Sequence, residues 1–175
     1  MTAMAEGSPQ ADLIVTERLL LRPKTREEAL ISLGGGTPAG LTYAEGYPDQ
    51  NALEALQRFV SGRLTETPAF IIRRAEGDVI GGIGYWFPSG PRRPSVGYDV
   101  AEALRGRGYA TEALRGLLVF LLGQPGIEAV EADALVSNIA SRRVMEKAGM
   151  THFDTRPGED EGRPVTLVYY EARRP

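Results

Sequence analysis

The chain has 175 residues, a net charge of −3, 42% apolar and 25% charged residues, the balance of one ordinary globular domain. It has no cysteine, which excludes disulfides, cysteine metal sites, redox dithiols and a cysteine acyl-enzyme. Its one histidine, His152, excludes a multi-histidine metal site, and the mildly acidic balance gives no reason to expect nucleic acid as a partner.

Residues 1–11 begin MTAMAEGSPQ, small and polar. They read as a disordered tail ahead of a single domain over 12–175, and not as a signal peptide. Leu13–Arg22 is aliphatic and ends at Pro23, which suits a first strand. Thr25, with Glu28 three places on, has the spacing of a capping box for a helix to about Leu33. Residues 37–48 read as loop. Asp49 is placed to cap a second helix to about Leu64, with Leu53, Leu56, Phe59, Val60 and Leu64 on one stripe. Three strands follow, at 70–74, 79–87 and 95–100, with turn residues between the first two.

Tyr109 to about Gly123 is helical by its leucine stripe. Residues 127–135 alternate as a strand. Asn138 opens a short helix that Gly149 ends. Strands at 150–155 and 165–173 close the chain, joined by a polar loop over 156–164. The longest apolar run, Leu117–Leu122, is far short of the ~20 residues a bilayer needs, so a soluble, cytoplasmic protein is expected. The fold class is therefore α/β (α+β), with about four helices against a sheet of about seven strands.

One stretch bears chemistry: DVAEALRGRGYATEAL, Asp99–Leu114. It joins a strand to a helix. Gly106 and Gly108 remove side chains where the backbone turns. The helix start offers unpaired N–H groups and the positive end of its dipole. Arg105 and Arg107 add formal charge. Together they form an anion cradle suited to phosphate or pyrophosphate; the alternative is a glycine-softened loop over a buried helix. The Walker ending and a full GxGxxG are both missing, so the common nucleotide fingerprints fit poorly.

The string Arg105-Gly106-Arg107-Gly108-Tyr109-Ala110 resembles the Arg/Gln-x-x-Gly-x-Gly/Ala signature of the GNAT superfamily of N-acetyltransferases. Thr111–Leu114 extends the match. So do Asn138–Ser141 and Val144–Met150 downstream, and the opening Thr16–Pro23, which is similar to the branch that acetylates ribosomal-protein N-termini. The resemblance runs from about Leu13 to Arg173. It implies a mixed, mostly antiparallel sheet splayed between the fourth and fifth strands. The implied co-substrate is acetyl-CoA, with no metal. Main-chain groups from Arg105 to Thr111, including Tyr109, Ala110 and Thr111, would hold its pyrophosphate, and those around Tyr98 and Val100 would pair with its pantetheine arm. Asn138 would orient that arm, with a helix N-cap as its alternative role. Ser141 would assist the departing thiolate.

The implied reaction is direct attack by an amine, from a small molecule or a protein N-terminus, in a ternary complex. Some relatives place a tyrosine acid where Met145 stands, and many a glutamate base where Ser95 stands. Asp99, on the same strand face as Ser95 and Gly97, is then the candidate to receive the proton, against a role as a strand-end carboxylate. Glu112 and His152 read as surface or structural residues. Trp86 and Tyr85 are candidates for an acceptor wall or the core. Tyr169 and Tyr170 point to opposite faces, so at most one faces a cleft. The loop Glu159-Asp160-Glu161 reads as a solvated turn. A homodimer is common among relatives; no nucleic acid or membrane partner is expected. The competing readings are a non-catalytic CoA- or acyl-CoA-binding module and an unrelated nucleotide-binding protein.

Overall fold

A computed structural model describes residues 12–62 and 66–175; the expected tail over 1–11 and the expected helix end at Leu64 lie outside them. The elements in chain order are β1 (Ile14–Val15), β2 (Leu19–Pro23), α1 (Arg26–Leu33), α2 (Gln50–Val60), β3 (Thr67–Arg73), β4 (Val79–Trp86), β5 (Ser95–Val100), a single 3₁₀ turn (Glu102–Leu104), α3 (Tyr109–Gly123), β6 (Ala129–Leu135), α4 (Ile139–Lys147), β7 (Thr151–Asp160) and β8 (Arg163–Arg173). The strands form one sheet of eight in the order β1-β2-β3-β4-β5-β6-β8-β7. Every neighbour pair is antiparallel except β5 with β6.

Local signals set most boundaries. Thr25 accepts from the Glu28 N–H at 3.1 Å while the Glu28 carboxylate accepts from the Thr25 N–H at 2.9 Å, so the capping box is complete. Asp49 Oδ1 accepts from the Ala52 N–H at 3.0 Å at the head of α2. Along α3, Ala113, Leu114, Leu117, Leu118 and Leu121 are buried, packing across β1, β2, β5 and β6. Each such leucine stabilises the fold by roughly 2 kcal/mol.

Two expectations are corrected. The first strand is two strands, because Thr16–Arg18 is a turn. The Thr16 N–H donates to the Leu19 carbonyl at 2.9 Å. Glu112 from α3 accepts from the Thr16 hydroxyl at 2.6 Å and the Arg18 N–H at 2.7 Å. A partner 96 residues away thus decides a local bend. The loop over 156–164 is instead mostly strand. Its only turn is Glu161–Gly162, with φ of 49° and 77°, and Asp160 pairs with Arg163 across it. The residues read as polar because this hairpin is exposed along most of its length.

Candidate active site

The sheet opens where its one parallel pair lies. β5 and β6 share only the Ser95–Glu131 pairing, sealed by the Glu131 N–H to the Pro94 carbonyl at 2.9 Å. Arg93 fastens that closed end, reaching Glu131 and Glu171 at 2.7 Å each. Beyond it the strands part. The Ala101 N–H donates to Ile80 on the β4 side, so by alternation the N–H groups of Tyr98 and Val100 face the gap. The splay is the one expected between the fourth and fifth predicted strands. A cleft of about 870 Å³ follows the gap, reaching from α2 to the start of α3 and to α4.

At one end lies the glycine turn. Gly106 and Gly108 have φ of 75° and 80°, and a Cβ at Gly106 would meet nothing within 4 Å. Among the described residues, no acceptor engages the N–H groups of 106–111. Gly106, Gly108, Tyr109, Ala110, Thr111 and Arg105 line the cleft; Arg107 does not, and its exposed guanidinium reaches the Ala103 carbonyl at 3.4 Å. Arg105 is a brace as well as a charge. It donates to the Val100 carbonyl at 2.9 Å and to Asp49 at 3.1 Å, joining β5 to the cap of α2.

Arg18 holds the turn from behind. It donates to Glu112 at 2.6 Å and to the Arg107 carbonyl at 3.0 Å, and it lies 4.5 Å over the Tyr109 ring. Burial raises the Glu112 carboxyl, but the Thr16 hydroxyl and the Arg18 N–H and guanidinium outweigh it and hold the group below its usual range. Glu112 is a fastening residue.

On α4, Asn138 Oδ1 caps the helix through the Ser141 N–H at 3.1 Å. Its amide nitrogen is left for other partners. The Ser141 hydroxyl sits 3.0 Å from the Tyr98 hydroxyl, which also reaches the Ser141 carbonyl at 3.2 Å. This hydroxyl couple bridges the gap between β5 and α4. The family resemblance implies a role for the main chain of Tyr98 alone, and the fold adds its hydroxyl. Met145 is fully buried. Arg143 and Lys147 of α4 also line the cleft, two cations the sequence reading passed over.

Asp99 lines the cleft, and its Oδ2 is buried with no hydrogen-bond partner. Such an atom is costly, and an unpartnered one in a cleft is a functional signal. Burial pushes the carboxyl up to about 6, against the pull of the Lys24 ammonium. Lys24 was not read as a site residue. It is only 8% exposed, and burial brings its ammonium down to about 8, opposed chiefly by Asp99.

Ser95 is buried at the closed end. Trp86 lines the cleft while Tyr85 belongs to the core. Tyr170 is buried, with its hydroxyl on Glu146 at 2.8 Å. Tyr169 carries the Arg156 guanidinium on its ring. His152 is held by Thr155 at 2.8 Å. None of these last three lines the cleft, nor does the Glu159–Glu161 segment. Among the described residues, no three acidic or histidine side chains are grouped to hold a metal ion, and no helix is long and apolar enough to cross a membrane.

Comparison with known proteins agrees with this geometry. The family model described as an acetyltransferase (GNAT) domain matches residues 18–151. The FsC-acetyl coenzyme A-N(2)-transacetylase of Aspergillus fumigatus is 32% identical over 78 residues, 40% of this chain. The match spans only a third of that relative's length (33%). Among solved structures, a GNAT-family acetyltransferase from Bacillus anthracis is similar with a TM-score of 0.72 and 20% identity, covering 93% of this chain and 98% of that one. The RimL ribosomal L7/L12 alpha-N-protein acetyltransferase in complex with coenzyme A is similar with a TM-score of 0.68 and 18% identity, covering 93% and 98%. At these identities the two structures share the fold.

Proposed function

Because this chain belongs to the GNAT acetyltransferase family, we propose that it transfers an acetyl group from acetyl-CoA to a primary amine of a small molecule or a protein N-terminus. The observation that carries this reading is Asp99, whose Oδ2 is buried without a partner in the cleft between the open strands and the glycine turn. The printed names of two relatives, an N(2)-transacetylase and an alpha-N-protein acetyltransferase, support nitrogen as the acceptor atom.

Bound acetyl-CoA supplies a thioester carbonyl open to attack by nitrogen. The residues fit it. The free N–H groups of 106–111, at the positive end of α3, suit a diphosphate. The N–H groups of Tyr98 and Val100 suit the amides of the pantetheine arm, and the Asn138 amide nitrogen adds a donor. The Val100 carbonyl is taken by Arg105, so Val100 acts through its N–H, which also suits a carbonyl oxygen gaining negative charge.

An alkyl ammonium has a pKa of about 10 and must lose a proton before it attacks. Asp99 receives that proton, directly or through a water. Ser141, coupled to the Tyr98 hydroxyl at 3.0 Å, gives a proton to the departing sulfur as the C–S bond breaks, and the second proton that the nitrogen sheds on becoming an amide restores the hydroxyl couple. With no cysteine in the chain, attack is direct, with both substrates bound.

Calorimetry tests the reading first: acetyl-CoA should bind, and ATP and NAD should not. Thiol release with a panel of amines should then show turnover. Binding without turnover across a wide panel would favour a non-catalytic acyl-CoA-binding module, and absence of binding would remove the reading altogether.

Ser141→Ala should lower turnover about 10-fold with acetyl-CoA affinity nearly unchanged. The loss falls below the usual range for a general acid because the Tyr98 hydroxyl can still donate. Adding Tyr98→Phe should deepen it to about 10²-fold. A kinetically silent double variant would remove this acid couple from the mechanism.

A further inference from the structure

Lys24 follows β2, where its N–H donates to the Pro68 carbonyl at 2.9 Å. Its side chain crosses the Phe70 ring, with Nζ 4.3 Å from the centroid. Lysine heads ordinarily reach out to water, and a buried one needs an anion. Four charged groups face it: Asp99 from β5, Glu28 from α1, Glu66 from the approach to β3, and Arg22 from the end of β2. Glu28 is occupied by Arg22 at 2.7 Å and by Thr25, and Glu66 also feels Arg58. Asp99 has a free oxygen.

The place where Lys24 and Asp99 converge is made by a glycine. A Cβ at Gly82 would lie 3.1 Å from Asp99 Oδ1 and 3.5 Å from Lys24 Nζ. The missing side chain therefore leaves a gap one small group wide, with the carboxylate on one side and the ammonium on the other. Asp99 is also faced by Asp49 at the cap of α2, which opposes its ionisation, by Arg105, which favours it, and by the buried Tyr47 phenol. Arg105 is partly committed to Asp49 at 3.1 Å. Asp99 is the strongest charge partner of Lys24, and Lys24 is thus the cation best placed to compensate it.

Resting on the transferase reading above, we propose that Lys24 is a positioning residue: across the gap over Gly82 its ammonium holds the Oδ1 side of Asp99, keeping the carboxylate ionised and leaving Oδ2 as the free proton acceptor. Lys24 touches neither substrate in this role. Its effect on the reaction passes through Asp99.

The test uses two readouts. In the free protein, carboxyl ¹³C NMR follows the Asp99 titration. In the enzyme, kcat/KM against pH follows the acidic limb. Lys24→Met should move the Asp99 titration upward by about 1–3 pH units, the scale of losing a near opposite charge, and should move the acidic limb with it. Lys24→Arg, which keeps the charge, should leave both near the parent. Should Lys24→Met fail to fold, Lys24→Gln makes the same comparison. In an Asp99→Asn background, Lys24→Met should change kcat less than about 2-fold, since coupled residues are not additive.

An Asp99 titration that does not move in the free protein overturns the proposal and leaves the base role of Asp99 standing. A titration that moves while the rate limb stays put overturns the base role, and with it the positioning role. An undiminished effect of Lys24→Met in the Asp99→Asn background overturns action through Asp99.

Discussion

Asp99→Asn should lower kcat by about 10²–10⁴-fold, the range for losing a positioned general base, while acetyl-CoA binds as before. The substitution keeps the shape and removes the proton acceptor. The cofactor-holding groups proposed above are main-chain N–H groups and the Asn138 amide, all on other residues, so affinity measured by calorimetry should stay within a few-fold of the parent. A parallel loss of affinity and turnover would place Asp99 in cofactor binding and remove it as the base. The parent enzyme should show an acidic limb near pH 6 in kcat/KM, because burial brings the carboxyl to about 6, and Asp99→Asn should lack that limb.

The same shift has a stability side, and its sign is opposite to that of a paired surface carboxylate. The folded-state value lies above the ordinary 3.8. Between these two values the folded chain holds a proton that the unfolded chain has released. The Asp99 contribution to stability is therefore full below about pH 4 and declines as pH rises to about 6. Above that, the folded state carries an ionised, buried carboxylate, the form the proposed transfer needs. Under the proposed role, the site is least favourable to folding in the state in which it would act, as expected where a charge is kept for chemistry.

How far the site can be read from the sequence depends on the range of the forces that build it. The glycine turn was legible because φ near +80° and an open helix start are local properties of Arg105–Thr111. The capping box at Thr25 and the cap at Asp49 were legible for the same reason. Lys24 was not. A lysine after a strand reads as solvated, and only the third dimension puts Phe70 beneath it and an empty Gly82 beside it. A weak signal was present in Val79–Trp86, where Gly81, Gly82 and Gly84 interrupt a buried strand at a cost in stability, as glycines do where another group must come close. Arg105 was legible as charge, but its brace to Val100 and Asp49 was not, because Asp49 lies 56 residues away. The turn at Thr16–Arg18 escaped for a like reason, since its polar groups are satisfied by Glu112.

Gly108→Val should weaken acetyl-CoA binding by at least about 10²-fold, and three substitutions at this position separate the causes. Gly108 has a φ of 80°, where a β-branched residue is a genuine outlier. Valine should push the turn out of the left-handed region and scatter the N–H groups of 106–111. A Cβ at this position points toward Arg18, 3.3 Å from Nη2, so a side chain here is not aimed into open cleft. Asparagine tolerates the left-handed region and should keep affinity within about 10-fold. Aspartate has nearly the same shape with one added negative charge. Against a diphosphate it should bind about 10-fold more weakly than asparagine, with Arg18 absorbing part of the repulsion. Calorimetry on the series reads both effects, with circular dichroism confirming the fold. Were valine, asparagine and aspartate all to bind like the parent, the cradle at 106–111 would not be where the anion sits. The cofactor would then have to be held by the cations of α4, Arg143 and Lys147, instead of by the backbone of the turn.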